Sequence, residues 1–211
     1  MIVSPFFSLS IQLGVALLRL QSADGTNRLT RASVLALTET IRELAREKRP
    51  LLISGNESFF SAGADLKEIA ALDGPAALEF SHLGQELMHI VDQFPSPLYA
   101  AIRGYCMGGG LDLALACHRR IAGPHAVFGH RGAALGLITG WRGTQRLPGL
   151  IGKARALEMF VAAEKISAPQ ALHFGLVDAL AEDPEQEAVR RITFRHSSPP
   201  NHEAQTGLLG F

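Results

Sequence analysis

An α/β fold is predicted for this chain by three observations. Short apolar runs such as Leu51-Leu-Ile-Ser54 and Leu98-Tyr-Ala-Ala-Ile102 alternate with stretches of helical apolar spacing, at the intervals of βα units. Two of these runs lead through small-residue turns, Ala62-Gly63-Ala64 and Gly108-Gly109-Gly110, into the start of a helix. With 47% hydrophobic and 19% charged residues in 211, the chain can also bury a sizeable core. The strands are short and several turns are loop-like, so the rhythm is not that of a strict doubly wound sheet.

The N-terminal residues 1–18 carry no charge before Arg19. They lack a basic leader region and a small-residue cleavage site, so the alternation Ile11, Leu13, Val15, Leu17 predicts a strand over 11–20 and no removed leader. Asp24-Gly25 carries turn chemistry. Thr30 is placed to cap a helix reaching about Lys48, with Val34, Leu37, Ile41 and Leu44 inward, and Arg49-Pro50 stops it. The buried strand 51–54 follows, then a loop anchored by Phe59 and Phe60, then the turn at 62–64 and a short helix. Gly74-Pro75 opens a long amphipathic helix ended by Pro95, with Leu78, Leu83, Leu87, Ile90, Val91 and Phe94 inward.

The strand 98–102 enters the central stretch, where Leu111-Asp-Leu-Ala-Leu-Ala-Cys117 reads as an apolar helix. Ile121-Ala122 and Ala126-Val-Phe128 are short strands, and residues 128–144 read as irregular and glycine-rich. A helix is expected from about 152 to 162. Ser167-Ala-Pro-Gln170 is a capping box that opens a shorter helix closed by Gly175. These elements predict one core domain over 1–183. A short tail over 184–211 holds at most one helix, at 185–195, before Ser197-Ser-Pro-Pro-Asn201, which forms no packed element.

The charges bound what the chain binds. Lys+Arg and Asp+Glu balance at 20 each, so no net field draws nucleic acid or acidic membrane, and no run is long and apolar enough to span a bilayer. Cys106 and Cys117 lack metal-ligand spacing and read as reduced, buried thiols of a cytoplasmic protein.

A strand, a glycine turn and a helix start place unpaired backbone N–H groups at the positive end of a helix dipole. Such a place holds negative charge, whether a bound anion or an oxyanion that develops during reaction. Asp112 falls in the first turn of the second helix, beside that site. A glycine run is also a common packing turn, and an acid in a first helical turn is favourable with the dipole whatever else it does; both readings stand at this point.

Four motifs in one order bear on the choice. Phe60-Ser-Ala-Gly-Ala-Asp-Leu-Lys-Glu-Ile69, Gly104-Tyr-Cys-Met-Gly-Gly-Gly-Leu-Asp-Leu-Ala-Leu-Ala-Cys117, Phe128-Gly followed by Gly143-Thr-Gln-Arg-Leu147, and Ile166-Ser-Ala before Gly175-Leu-Val-Asp178 together make the chain resemble the crotonase superfamily, the enoyl-CoA hydratase/isomerase family. The resemblance covers about residues 11–180. It implies a spiral of ββα units with two roughly perpendicular sheets ringed by helices, assembly as homotrimers or dimers of trimers, and an acyl-CoA substrate with no separate cofactor or metal. It also implies that the N–H groups of Ala64 and Gly109 polarise the thioester carbonyl and that Asp112 moves protons. Ala62, Asp65, Leu66 and Lys67 are then expected along the CoA arm.

Three departures from the family pattern stand out. Asp112 replaces a glutamate and is one methylene shorter. Gly132 falls where the second glutamate is expected, and no carboxylate lies between Asp112 and Glu158, leaving His130, Arg131 and Arg142 as the nearby polar residues. The chain is short after 184, where the family continues with helices that pack on the trimer and close the pocket. The resemblance therefore implies an enoyl-CoA hydratase or isomerase, with a one-carboxylate reaction or a non-catalytic acyl-CoA binder as the alternatives.

Overall fold

The computed structural model of the protein describes residues 2–197. After the short strand β1 (Ile2–Val3), residues 11–20 do not form one strand. Leu13 and Gly14 both take positive φ, 50° and 80°, the sign pattern of a two-residue type I′ turn. The chain therefore folds into a hairpin of β2 (Phe7–Gln12) and β3 (Val15–Leu20), with Gln12 opposite Val15. The alternation that suggested one strand ran through the turn, and it leaves Ile11 and Leu13 exposed while Val15, Ala16 and Leu18 are buried.

β4 (Arg28–Leu29) leads into α1 (Arg31–Glu47), where Thr30 Oγ1 accepts the Ser33 N–H at 3.2 Å and the four expected apolar residues are buried. β5 (Leu51–Ser54), β6 (Phe59–Ser61), β7 (Gly63–Ala64), α2 (Leu66–Ala70) and α3 (Gly74–Asp92) follow. The buried stripe of α3 is Phe80, Gly84, Leu87, Met88 and Val91. Leu78, expected inward, is exposed because it precedes Phe80 by two residues, roughly 200° around the helix.

β8 (Leu98–Ile102), β9 (Tyr105–Met107) and α4 (Gly109–Ala116) make up the central stretch, followed by β10 (Arg119–Ala122) and β11 (Val127–Gly129). The segment 128–144, read as irregular, carries a short 3-10 turn at Ala133–Leu135. A further helix, α5 (Gly143–Ile151), which the sequence reading did not include, precedes the one expected from 152 and carries Pro148 in its interior. α6 (Lys153–Ala162), β12 (Lys165–Ser167), α7 (Ala168–Phe174) with its capping box, β13 (Ala179–Leu180) and α8 (Pro184–Ser197) complete the described chain. The expectation for residues 198–211 lies outside the described residues.

The first sheet runs β1-β2-β3-β5-β8-β10-β13, parallel from β3 onward. Alternation along its strands assigns the two faces. Leu51, Ile53, Leu98, Ala100 and Ile102 enter the main core with α1 and α3, while Leu52, Tyr99, Ala101 and Ile121 meet Ala188, Val189 and Ile192 of α8 on the other face. Burying Val189 and Ile192 there contributes about 1.5–3 kcal/mol each, so α8 closes the fold and does not hang from it. A second sheet, β12-β11-β9-β6, and the pair β4-β7 lie beyond the first, giving an α/β architecture of sheets surrounded by helices. No helix of the described residues is long and apolar enough to cross a membrane.

Candidate active site

β6 and β9 are parallel neighbours, so the two small-residue turns that follow them lie side by side. A Cβ on Gly63 would stand 2.6 Å from Met107 O and 2.9 Å from Gly109 N, and its φ is +91°, so only glycine fits. A Cβ on Gly109 would stand 3.4 Å from Ala64 N. Asp65 N–H donates to Leu29 O at 3.3 Å, and the alternation of a strand then turns the Ala64 N–H the other way. Gly109 is the first residue of α4, and its N–H has no acceptor four residues back. Both residues border one cavity of about 450 Å³.

The indole of Trp141 packs against the same glycine, with Cζ3 2.5 Å from where a Gly109 Cβ would be. Its Nε1 donates to Phe80 O at 3.3 Å, and the ring is buried between α3 and α4. Two approaching backbones and one indole thus fix this corner of the cavity.

Asp112 reaches the cavity from the first turn of α4 and is 1% exposed. Thr139 Oγ1 donates to its Oδ2. Its Oδ1 lies 3.1 Å from His130 Nε2, but the two are not aligned as a hydrogen bond, and neither atom has a hydrogen-bond partner. A Cβ on Gly143 would stand 2.1 Å from Asp112 Oδ1. Gly143 is the first residue of α5, so the carboxylate rests at the positive ends of two helices. Each contributes about 0.3–1 kcal/mol at an exposed site and up to about 2 when partly buried. The remaining walls are mainly apolar, with Leu66, Ile69, Leu72 and Leu137 among them. Below the site, burial first and then Cys117 and Asp112 push the Cys106 thiol well above its ordinary range, so it is no nucleophile.

Gly132 lies in the same wall, but a side chain there has no room. Its Cβ would meet Leu137 O at 2.7 Å, and its own carbonyl accepts the N–H groups of Leu135 at 2.8 Å and Leu137 at 2.9 Å. The tight turn leaves no room for an acid at this position.

Among the residues expected from the sequence, Ala62, Ala64, Leu66, Gly109, Asp112 and His130 all border the cavity. Three others lie elsewhere. Asp65 caps α2, its Oδ1 accepting the N–H groups of Lys67 at 2.8 Å and Glu68 at 3.1 Å. Lys67 is exposed and does not border the cavity. Arg142, at φ 70°, lines a separate surface depression together with Gln85 and Asp92. Thr139, Trp141 and Gly143 were not foreseen as site residues; they sit in the irregular segment, where no periodicity assigns a side chain to a face. Among the described residues, no cluster of three or more His, Cys, Asp or Glu is placed to hold a metal ion.

The profile of the enoyl-CoA hydratase/isomerase family matches residues 10–206. A relative from Bacillus subtilis (strain 168), named "Probable enoyl-CoA hydratase", is 47% identical over 136 residues, which is 64% of this chain and 53% of that protein. The matched stretch thus spans about half the length of that relative. Among solved structures, DspI of Pseudomonas aeruginosa superposes with a TM-score of 0.88 at 32% identity, over 95% of this chain and 78% of that one. The enoyl-CoA hydratase from Bacillus anthracis superposes with a TM-score of 0.86 at 33% identity, over 92% and 78%.

Proposed function

The chain belongs to the enoyl-CoA hydratase/isomerase family, and from that premise we propose that it is an enzyme acting on acyl-CoA thioesters through an enolate. The Ala64 and Gly109 N–H groups receive the thioester oxygen, and Asp112 moves the proton at Cα. Supporting this is the meeting of both main-chain turns and one buried carboxylate on a single apolar cavity.

The chemistry follows from the parts. Negative charge grows on the thioester oxygen as the enolate forms. Two N–H donors already fixed by backbone geometry need not reorganise to meet it, and each lowers the barrier by about 3 kcal/mol by analogy with other oxyanion holes. The apolar walls exclude bulk water and strengthen those hydrogen bonds. Among the described residues that line the cavity, Asp112, held by Thr139 and two helix ends, is the only carboxylate, so the same group takes up and returns the proton.

The test is loss of the enoyl-thioester absorbance of crotonyl-CoA, wild type beside Asp112→Ala, with the thermal shift given by acetyl-CoA measured in both. Turnover in the wild type, lost in the variant while the thermal shift persists, supports the reading. Thermal shift without turnover on crotonyl-CoA or on a 3-enoyl-CoA leaves a binding protein in its place. A second reading, movement of a double bond from 3-enoyl to 2-enoyl, is favoured by the closed position at Gly132, because one shuttling acid is enough for it.

A further inference from the structure

We propose that His130 is a catalytic residue: with Asp112 it holds the water that adds to Cβ of a 2-enoyl thioester. The inference rests on the enolate reading above and selects hydration as its reaction.

Asp112 Oδ1 and His130 Nε2 are both buried, both without a hydrogen-bond partner, and 3.1 Å apart in an orientation that does not join them. Both residues border the 450 Å³ cavity. A buried polar atom left unsatisfied costs about 1–3 kcal/mol, so two of them 3.1 Å apart are satisfied together by one shared third group. Each atom has less than 1 Å² of accessible surface, so the water enters as the two side chains part; about 2.8 Å from each, it accepts from Nε2–H and donates to Oδ1. The other oxygen of Asp112 is occupied by Thr139, which leaves Oδ1 to the water.

The surroundings reserve this place. Gly143 presents no side chain where a Cβ would fall 2.1 Å from Oδ1 and 3.1 Å from His130 Nε2. The His130 ring is held against Phe160, with centroids 5.1 Å apart, so Nε2 is aimed by packing. The turn at Gly132 admits no acid that could compete for the role.

The step balances with these groups alone. The water oxygen forms a bond to Cβ while its proton passes to Asp112 Oδ1. The Cα–Cβ π pair moves toward the thioester and its charge rests on the carbonyl oxygen. Asp112 then delivers that proton to Cα, giving the 3-hydroxyacyl thioester and restoring the carboxylate. His130 keeps its proton throughout and supplies the hydrogen bond that orients the water.

The test compares two rates in each protein: hydration of crotonyl-CoA, and deuterium exchange at Cα of butyryl-CoA, which needs the enolate but no added water. In His130→Phe, which keeps the packing on Phe160, the ratio of hydration to exchange is expected to fall about 100-fold. His130→Gln, which retains an N–H donor, is expected to recover about a tenth of the lost ratio or more. Asp112→Asn is expected to lose both rates. An unchanged ratio in His130→Phe, or a wild type that exchanges without hydrating, overturns the role of His130 and leaves the enolate reading standing. A wild type that does neither overturns both.

Discussion

Replacing Gly143 with alanine tests the geometry of Asp112 without touching any group given a chemical role. The new Cβ would lie 2.1 Å from Asp112 Oδ1. Ordinary contact begins near 3.4 Å, so the carboxylate must retreat by about 1.3 Å. Displacements of that size at a reacting group cost on the order of 100-fold in rate, about 2.7 kcal/mol in the barrier. Stability is expected to hold, because Gly143 has no positive φ and alanine is preferred over glycine in a helix by up to about 1 kcal/mol. The closest atom is the tip of a side chain, which can move. The assay is kcat/KM with crotonyl-CoA beside the melting temperature. A well-folded Gly143→Ala enzyme with wild-type kcat/KM would refute the claim that Asp112 must sit where the structure holds it.

Other consequences are independent of that one. Gly132→Glu, which places an acid where the resemblance leads one to expect it, is expected to lower stability by about 1–3 kcal/mol without raising activity, because its Cβ meets the Leu137 carbonyl at 2.7 Å; a gain in hydration would contradict this. Arg120 is buried and donates to Leu176 O at 2.8 Å and Cys117 O at 2.7 Å, closing the C-terminal end of α4. Arg120→Ala is expected to cost about 3 kcal/mol, roughly 6–12 °C in melting temperature. Burial raises the Cys117 thiol from its ordinary value near 9 to about 12, against the pull of Arg120 and Arg146. The folded state then keeps a proton that the unfolded state loses, so this contribution is fully present below pH 9 and falls away between about 9 and 12. Cys117→Ala is expected to flatten that part of the stability profile, as read by chemical denaturation; an unchanged alkaline slope would contradict it.

The parts of this fold that were legible in the sequence are those set by local chemistry. The Thr30 cap, the apolar face of α1 and the capping box at Ser167 needed no knowledge of the tertiary structure. The two glycine turns were legible for the same reason, since a close backbone approach leaves glycine as the record. The hairpin at Leu13-Gly14 was missed because leucine at φ 50° is a poor turn signal and the apolar alternation ran straight through it. α5 was missed because Pro148 argues against a helix and Gly143 gives no start signal. The loss of α5 hid half of the site, because its first residue packs on Asp112. His130 was visible as a polar residue near a gap, but its position opposite Oδ1 depends on the packing of Phe160 from α6, which no spacing records.

The central claim is that two main-chain N–H groups polarise a thioester carbonyl in this cavity. It is tested most directly by the absorption spectrum of a bound enoyl-CoA whose aryl group is conjugated with that carbonyl. Hydrogen bonds from Ala64 and Gly109 pull electron density toward the oxygen and shift the band to longer wavelength. The account predicts a red shift on binding to the wild type and an equal one with Asp112→Asn, which leaves both N–H groups in place. Saturable binding with no shift in either protein would contradict it.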